Sequence, residues 1–136
     1  MDMKLESAEG FLVATITGTI SMKEAEEIGN QVCDIAAEMG FGKILFDCSA
    51  VDGELSVTDR YKLGENLAEH YMNQWKIPAI ALVGSLPTIN GVCTRVAWNR
   101  GMLVKQFFEL EPALDWLRNV VSPALESTLP VHARFR

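Results

Sequence analysis

Asp47, Cys48, Ser49 and Asp52 fall in one short stretch, KILFDCSAVDG over residues 43–53. Two carboxylates, a thiol and a hydroxyl so close together are the groups that acid–base or nucleophilic chemistry uses. A thiol nucleophile needs a base, and neither His70 nor His132 is near it in the chain. A Cys/His or Ser/His/Asp set is therefore thinly supported. Cys48 reads first as a small buried hydrophobe, and Asp47 as a carboxylate that bonds loop amides. An enzyme using Asp47 and Cys48 is the third-ranked reading.

Two further polar groups stand apart from that stretch. Ser56 fits the N-cap of a helix, with Asp59 in its first turn and Thr58 beside it. Ser85, Thr88 and Asn90 can place hydroxyls and backbone N–H groups around an anion at a helix start, although turn and cap chemistry explains the same residues. The candidate partner- or ligand-binding set is thus Asp47, Ser49, Asp52, Ser56, Thr58, Ser85, Thr88 and Asn90. No metal-ligand spacing, GxGxxG or Walker loop occurs, so no metal or cofactor is expected. Cys33, Cys48 and Cys93 are odd in number and widely spaced, which fits reduced thiols.

The elements that must carry these residues follow from pattern. Lys4 to Ala8 and Phe11 to Thr17 read as strands joined by the Glu9-Gly10 turn, an antiparallel hairpin. Ser21 and Glu24 form a capping box. Ala25, Ile28, Val32, Ile35, Ala36 and Met39 then recur at helical spacing, and Gly40 closes the helix over 22–39. Ile44-Leu45-Phe46 is an apolar run with polar residues directly after it. It reads as a strand over 43–47, buried on both faces and ending at a polar rim. A second helix runs from Ser56 to about Trp75 on a stripe of Leu63, Leu67 and Tyr71. Gly64 within it marks close backbone packing on a neighbour.

Residues 78–83 read as another buried strand, opening on Pro78. Thr88 is the expected cap of a third helix through Arg100, closed by Gly101. A last strand covers 103–108, and a fourth helix starts at Glu111-Pro112 with proline in its first position and Ser122-Pro123 as its stop. Trp75, Trp98 and Trp116 read as packing residues. The order is ββαβαβαβα: a mixed five-stranded sheet with four parallel strands and an antiparallel first strand at an edge. In such sheets ligands and partners gather at the carboxyl ends of the parallel strands.

The 136 residues suit one domain. Net charge is -6 with no basic cluster before Arg134 and Arg136, so nucleic acid is not an expected partner and an anionic membrane surface is disfavoured. No apolar run approaches the roughly 20 residues that span a bilayer. The opening MDMKLESAEG lacks a signal-peptide core, so the cytoplasm is the default location. Residues 122–136 form a tail whose Leu125, Leu129, Val131 and Phe135 call for cover by the domain itself or by a second copy, as in a homodimer.

The opening hairpin, Gly18-Thr19-Ile20-Ser21, Lys43 to Asp47, Asn99-Arg100-Gly101 and Ala113-Leu114-Asp115-Trp116-Leu117 together resemble the SpoIIAA-like proteins of the STAS superfamily, often grouped as STAS/SEC14-like. The resemblance covers roughly residues 2–120, giving a domain over 1–121 and the tail beyond it. It implies a SpoIIAA-like, CRAL-TRIO-like fold with no established catalysis. It also implies a phosphorylatable serine at the start of the second helix that meets a switch kinase. Ser56, with Thr58 beside it, stands at that place, but the chain reads Glu54-Leu55-Ser56-Val57-Thr58-Asp59 where the family has an Asp-Ser-Ser-Gly type motif. The leading expectation is a small non-catalytic regulatory module that binds a protein partner. A lipid or other small-ligand binding protein is the alternative.

Overall fold

In the computed structural model, residues 1–74 and 77–120 are described. They form β1 (Asp2–Ala8), β2 (Phe11–Thr19), α1 (Met22–Met39), β3 (Lys43–Asp52), α2 (Val57–Met72), β4 (Ala79–Val83), α3 (Val92–Asn99), β5 (Val104–Phe107) and α4 (Leu110–Asn119). The strands lie in the order β1-β2-β3-β4-β5, with β1 antiparallel to β2 and the other pairs parallel. The expected mixed sheet and element order are therefore present.

Successive parallel strands are added on the same side, and the right-handed crossovers general to such connections put α1, α2 and α3 on one face. Alternation along the strands divides the core accordingly. Leu12, Ala14, Ile44, Phe46 and Ile80 point to the three-helix face, where Val32, Ala36, Ala68, Tyr71 and Ala97 meet them. Phe11, Leu45, Ala81 and Val83 point to the other, where Ala113 and Leu117 of α4 cover them. Trp116 lies against Phe107 with ring centroids 5.9 Å apart, whereas Trp98 is on the surface. Trp75, the Ser122-Pro123 stop and the tail over 122–136 lie outside the described residues.

The capping expectations hold at α1. Ser21 accepts from the Glu24 amide at 3.3 Å, and Gly40 takes the left-handed conformation at φ 81° and donates to Ala36. Gly64 of α2 faces α3 so closely that a Cβ there would lie 2.6 Å from the Cys93 carbonyl oxygen. Tyr71, fully buried, donates to the Pro78 carbonyl at 2.6 Å and accepts from the Leu103 amide at 3.3 Å, tying α2 to the starts of β4 and β5.

Several boundaries differ from the expectation. β3 does not end at Asp47 but continues to Asp52. Between Thr15 and Thr17 of β2, the partner on β3 advances from Asp47 to Ala50, so β3 holds an extra residue there: a β-bulge. The polar run that looked like a loop is a bulged strand. α2 ends at Met72, and α3 starts at Val92 because Thr88 does not cap it. α4 starts at Leu110, which puts Pro112 in the third rather than the first helical position; its missing N–H is still one of the unpaired donors of a helix start. No helix among the described residues is long and apolar enough to cross a membrane.

Candidate functional site

The carboxyl ends of the parallel strands form a polar rim, and each residue expected there has a definite local partner. Asp47 sits at the bulge. Its Oδ1 accepts from the Ser49 amide at 3.1 Å and from the Ser49 hydroxyl at 2.6 Å. The bulge takes Ser49 out of the ladder, and a bulged residue's amide needs another acceptor; the Asp47 carboxylate supplies it. Asp52 closes the end of the strand: its carboxylate accepts from the Thr19 hydroxyl at 2.6 Å, and its carbonyl from the Ile20 amide at 2.9 Å.

Ser56 caps α2, its Oγ accepting from the Asp59 amide at 3.1 Å. Thr58 is exposed in the first turn. Across the rim, the Thr88 hydroxyl donates to the Gly53 carbonyl at 2.5 Å, so this side chain is buried as a clasp between two loops instead of facing α3. Asn90 stands just before Gly91, the N-cap of α3, and its Oδ1 accepts from the Val92 amide at 3.1 Å in a local turn. Ser85 is exposed, and its carbonyl accepts from the Ile89 amide at 2.9 Å. The expected residues therefore line one edge in local pairs: the Asp47–Ser49 bulge, the Thr19–Asp52 and Gly53–Thr88 clasps, the Ser56 cap of α2 and the Asn90 turn before α3.

Burial pushes the Cys48 thiol up to about 12, with the nearby Asp47 charge acting in the same direction. Burial likewise raises Cys33 to about 12 and Cys93 to about 11. Thiols held this far above neutrality are poor nucleophiles. His70 lies on the helical side, its Nε2 2.7 Å from Asp34 of α1, not at the rim. Among the described residues no group of three metal-binding side chains comes together.

One residue escaped the sequence reading. Arg60 is only 6% exposed. Its Nη2 donates to the Pro87 carbonyl at 2.7 Å and lies 3.5 Å from the Glu54 carboxylate. This bond joins the loop after β4 to the first turn of α2. The signal was available: Arg60, Leu63, Gly64, Leu67, Ala68 and Tyr71 continue one helical stripe, and a charge on that stripe must point inward. The same junction carries exposed apolar side chains, with Val57 70%, Tyr61 48% and Leu86 67% exposed.

No protein-family model and no curated protein sequence matches the chain. Solved structures do. An anti-sigma factor antagonist from Mycobacterium paratuberculosis superposes with a TM-score of 0.62 at 20% identity, over 87% of this chain and 94% of that one. The anti-sigma factor antagonist SpoIIAA in its unphosphorylated form superposes with a TM-score of 0.51 at 17% identity, over 88% of this chain and 100% of that one. The fold is SpoIIAA-like, shared with these two structures.

Proposed function

We propose that this chain is a small, non-catalytic regulatory module that binds a protein partner over the rim and the first turns of α2. The observation that carries the reading is that Val57 and Tyr61, one turn apart in α2 next to the Ser56 cap, and Leu86 in the loop after β4 are all exposed. Exposed aromatic and aliphatic side chains with a polar surround are what a partner's hot spot covers. The similarity in fold to two anti-sigma factor antagonists supports an anti-sigma factor as the partner class. Asp47, Ser49, Asp52, Thr88 and Asn90 act in this reading by fixing the rim backbone that the partner meets.

The test is binding of the purified chain to the anti-sigma factors of its own host by isothermal titration. Val57→Asp combined with Leu86→Asp is expected to weaken binding by tenfold or more while the far-ultraviolet spectrum stays unchanged. Undiminished affinity in the folded double variant refutes the surface, and the absence of binding to every such factor refutes the partner class. In a switch version, Ser56 or Thr58 accepts phosphate, which the α2 N-terminus tolerates electrostatically. Incubation with the cognate kinase and ATP then adds one phosphate mass to the peptide holding both residues.

A further inference from the structure

Beneath the rim, between the sheet and helices α1, α2 and α3, lies an apolar chamber of about 130 Å³. Ile16, Phe46 and Ile80 form its sheet side, and Ile28, Leu63 and Ala97 its helical side. An enclosed apolar cavity of comparable size accepts a benzene-sized guest; this one is also partly open to solvent, which gives a guest a way in.

Among the polar residues that line this chamber, Arg60 and Gln106 each leave one buried side-chain atom without a hydrogen-bond partner among the described residues. Arg60 spends Nη2 on Pro87, but its Nε–H has no acceptor. Gln106 spends Nε2 on the Ile89 carbonyl at 3.3 Å, and its Oε1 has no donor. A buried, always-charged guanidinium with an idle donor is costly, and the Glu54 carboxylate at 3.5 Å is solvent-exposed and compensates it only in part. Water alone can serve the idle atoms but leaves the apolar walls uncovered. A molecule with an apolar body and an anionic head serves both.

We propose that the chamber is a binding site for a small amphipathic carboxylate. The apolar body fills the space between Phe46, Ile80 and Ala97. The carboxylate accepts from the Arg60 Nε–H, and Gln106 Oε1 takes an O–H or N–H from the ligand or from a water bound with it. The chamber opens beside the proposed partner-binding rim and shares Thr88 and Asn90 with it, but Val57 and Leu86 do not line it.

Hexanoate and 1-hexanol, matched in apolar body and different in charge, test this on the full chain. Hexanoate is expected to bind at least about tenfold more tightly, because a charge-assisted bond to a buried guanidinium is made only with the anion. The Arg60 Nε–H resonance in a proton–nitrogen correlation spectrum is expected to shift on saturation with hexanoate. Arg60→Met is expected to abolish the preference for the acid, and Ala25→Leu, at a wall position, to weaken both probes. Equal affinity for the two probes, no binding of hexanoate, or a preference that survives in folded Arg60→Met overturns the proposal. Should Arg60→Met fail to fold, an unmoved Arg60 Nε–H resonance in the wild-type chain at saturating hexanoate overturns it equally.

Discussion

Gly29 and Gly64 offer a paired test of how α1, α2 and α3 are packed. Both are mid-helix, and in an open helix replacing glycine by alanine stabilises by about 1 kcal/mol. At both, an added Cβ would meet an atom at 2.6 Å. The difference lies in what is met. At Gly29 it is Cδ2 of Leu67, the tip of a side chain that borders the chamber and can swing into it. At Gly64 it is the Cys93 backbone oxygen, with Val96 Cβ at 2.9 Å behind it. Relief there requires α2 and α3 to part by roughly 0.8 Å, which forfeits a sizeable share of the contact energy along their interface. Overpacking of this rigid kind costs about 3 kcal/mol at its upper end.

Gly64→Ala is therefore expected to destabilise by about 2 kcal/mol net, and Gly29→Ala to lie within about 0.5 kcal/mol of wild type or above it. For a domain of this size that separates the two melting temperatures by roughly 8 °C. Urea titration followed by circular dichroism gives both free energies, with unchanged m-values as the check that only stability moved. A Gly64→Ala chain as stable as wild type would refute the backbone-to-backbone approach of α2 and α3.

Tyr71→Phe strips the Pro78 carbonyl and the Leu103 amide of one buried partner and is expected to cost about 2 kcal/mol in the same urea assay; a loss under about 0.5 kcal/mol contradicts the bridging role. Asp47→Ala frees the Ser49 amide at the bulge and is expected to cost about 1 kcal/mol, with Asp47→Asn recovering part of it; equal losses in the two variants contradict the amide-acceptor role. Cys33, Cys48 and Cys93 are expected to react with a disulfide reagent far more slowly in the native chain at pH 8 than in urea, and fast native labelling of Cys48 contradicts its burial. The same thiols make stability fall as pH rises. Their folded values are raised to about 12, 12 and 11, so above about pH 9 the unfolded chain releases protons that the folded one retains. A free energy of unfolding that stays level from pH 8 to 10.5 contradicts this.

Much of the fold was legible because local chemistry and global need coincide. Ser21 with Glu24 and the glycine at 40 bracket α1 wherever the helix is placed. The Ile44-Leu45-Phe46 run fills both faces of a central strand, which only a covered parallel sheet demands. The glycine at 64 announced a close approach that the α2–α3 contact explains. What was illegible depends on tertiary partners. Nothing local tells a bulged strand from a loop in Cys48-Ser49-Ala50; the pairing with β2 decides it. Thr88 looks like a helix cap until the Gly53 carbonyl claims its hydroxyl, and α3 then starts after Gly91 with no side-chain cap bond. Arg60 lay on a visible stripe, but an arginine is so rarely buried that its inward orientation went unread.

The extra residue in β3 also makes that strand's length a matter of parity. Cys48 and Val51, three apart, are both buried in the three-helix core, which plain alternation forbids. Deleting Ser49 would restore strict alternation. Val51, then two residues after Cys48, would stay on the three-helix face, and what would be lost is the bulge and the amide that the Asp47 carboxylate holds. The sheet could keep its phase without the extra residue; what the residue adds is the Asp47–Ser49 turn, set at the rim in the middle of a strand.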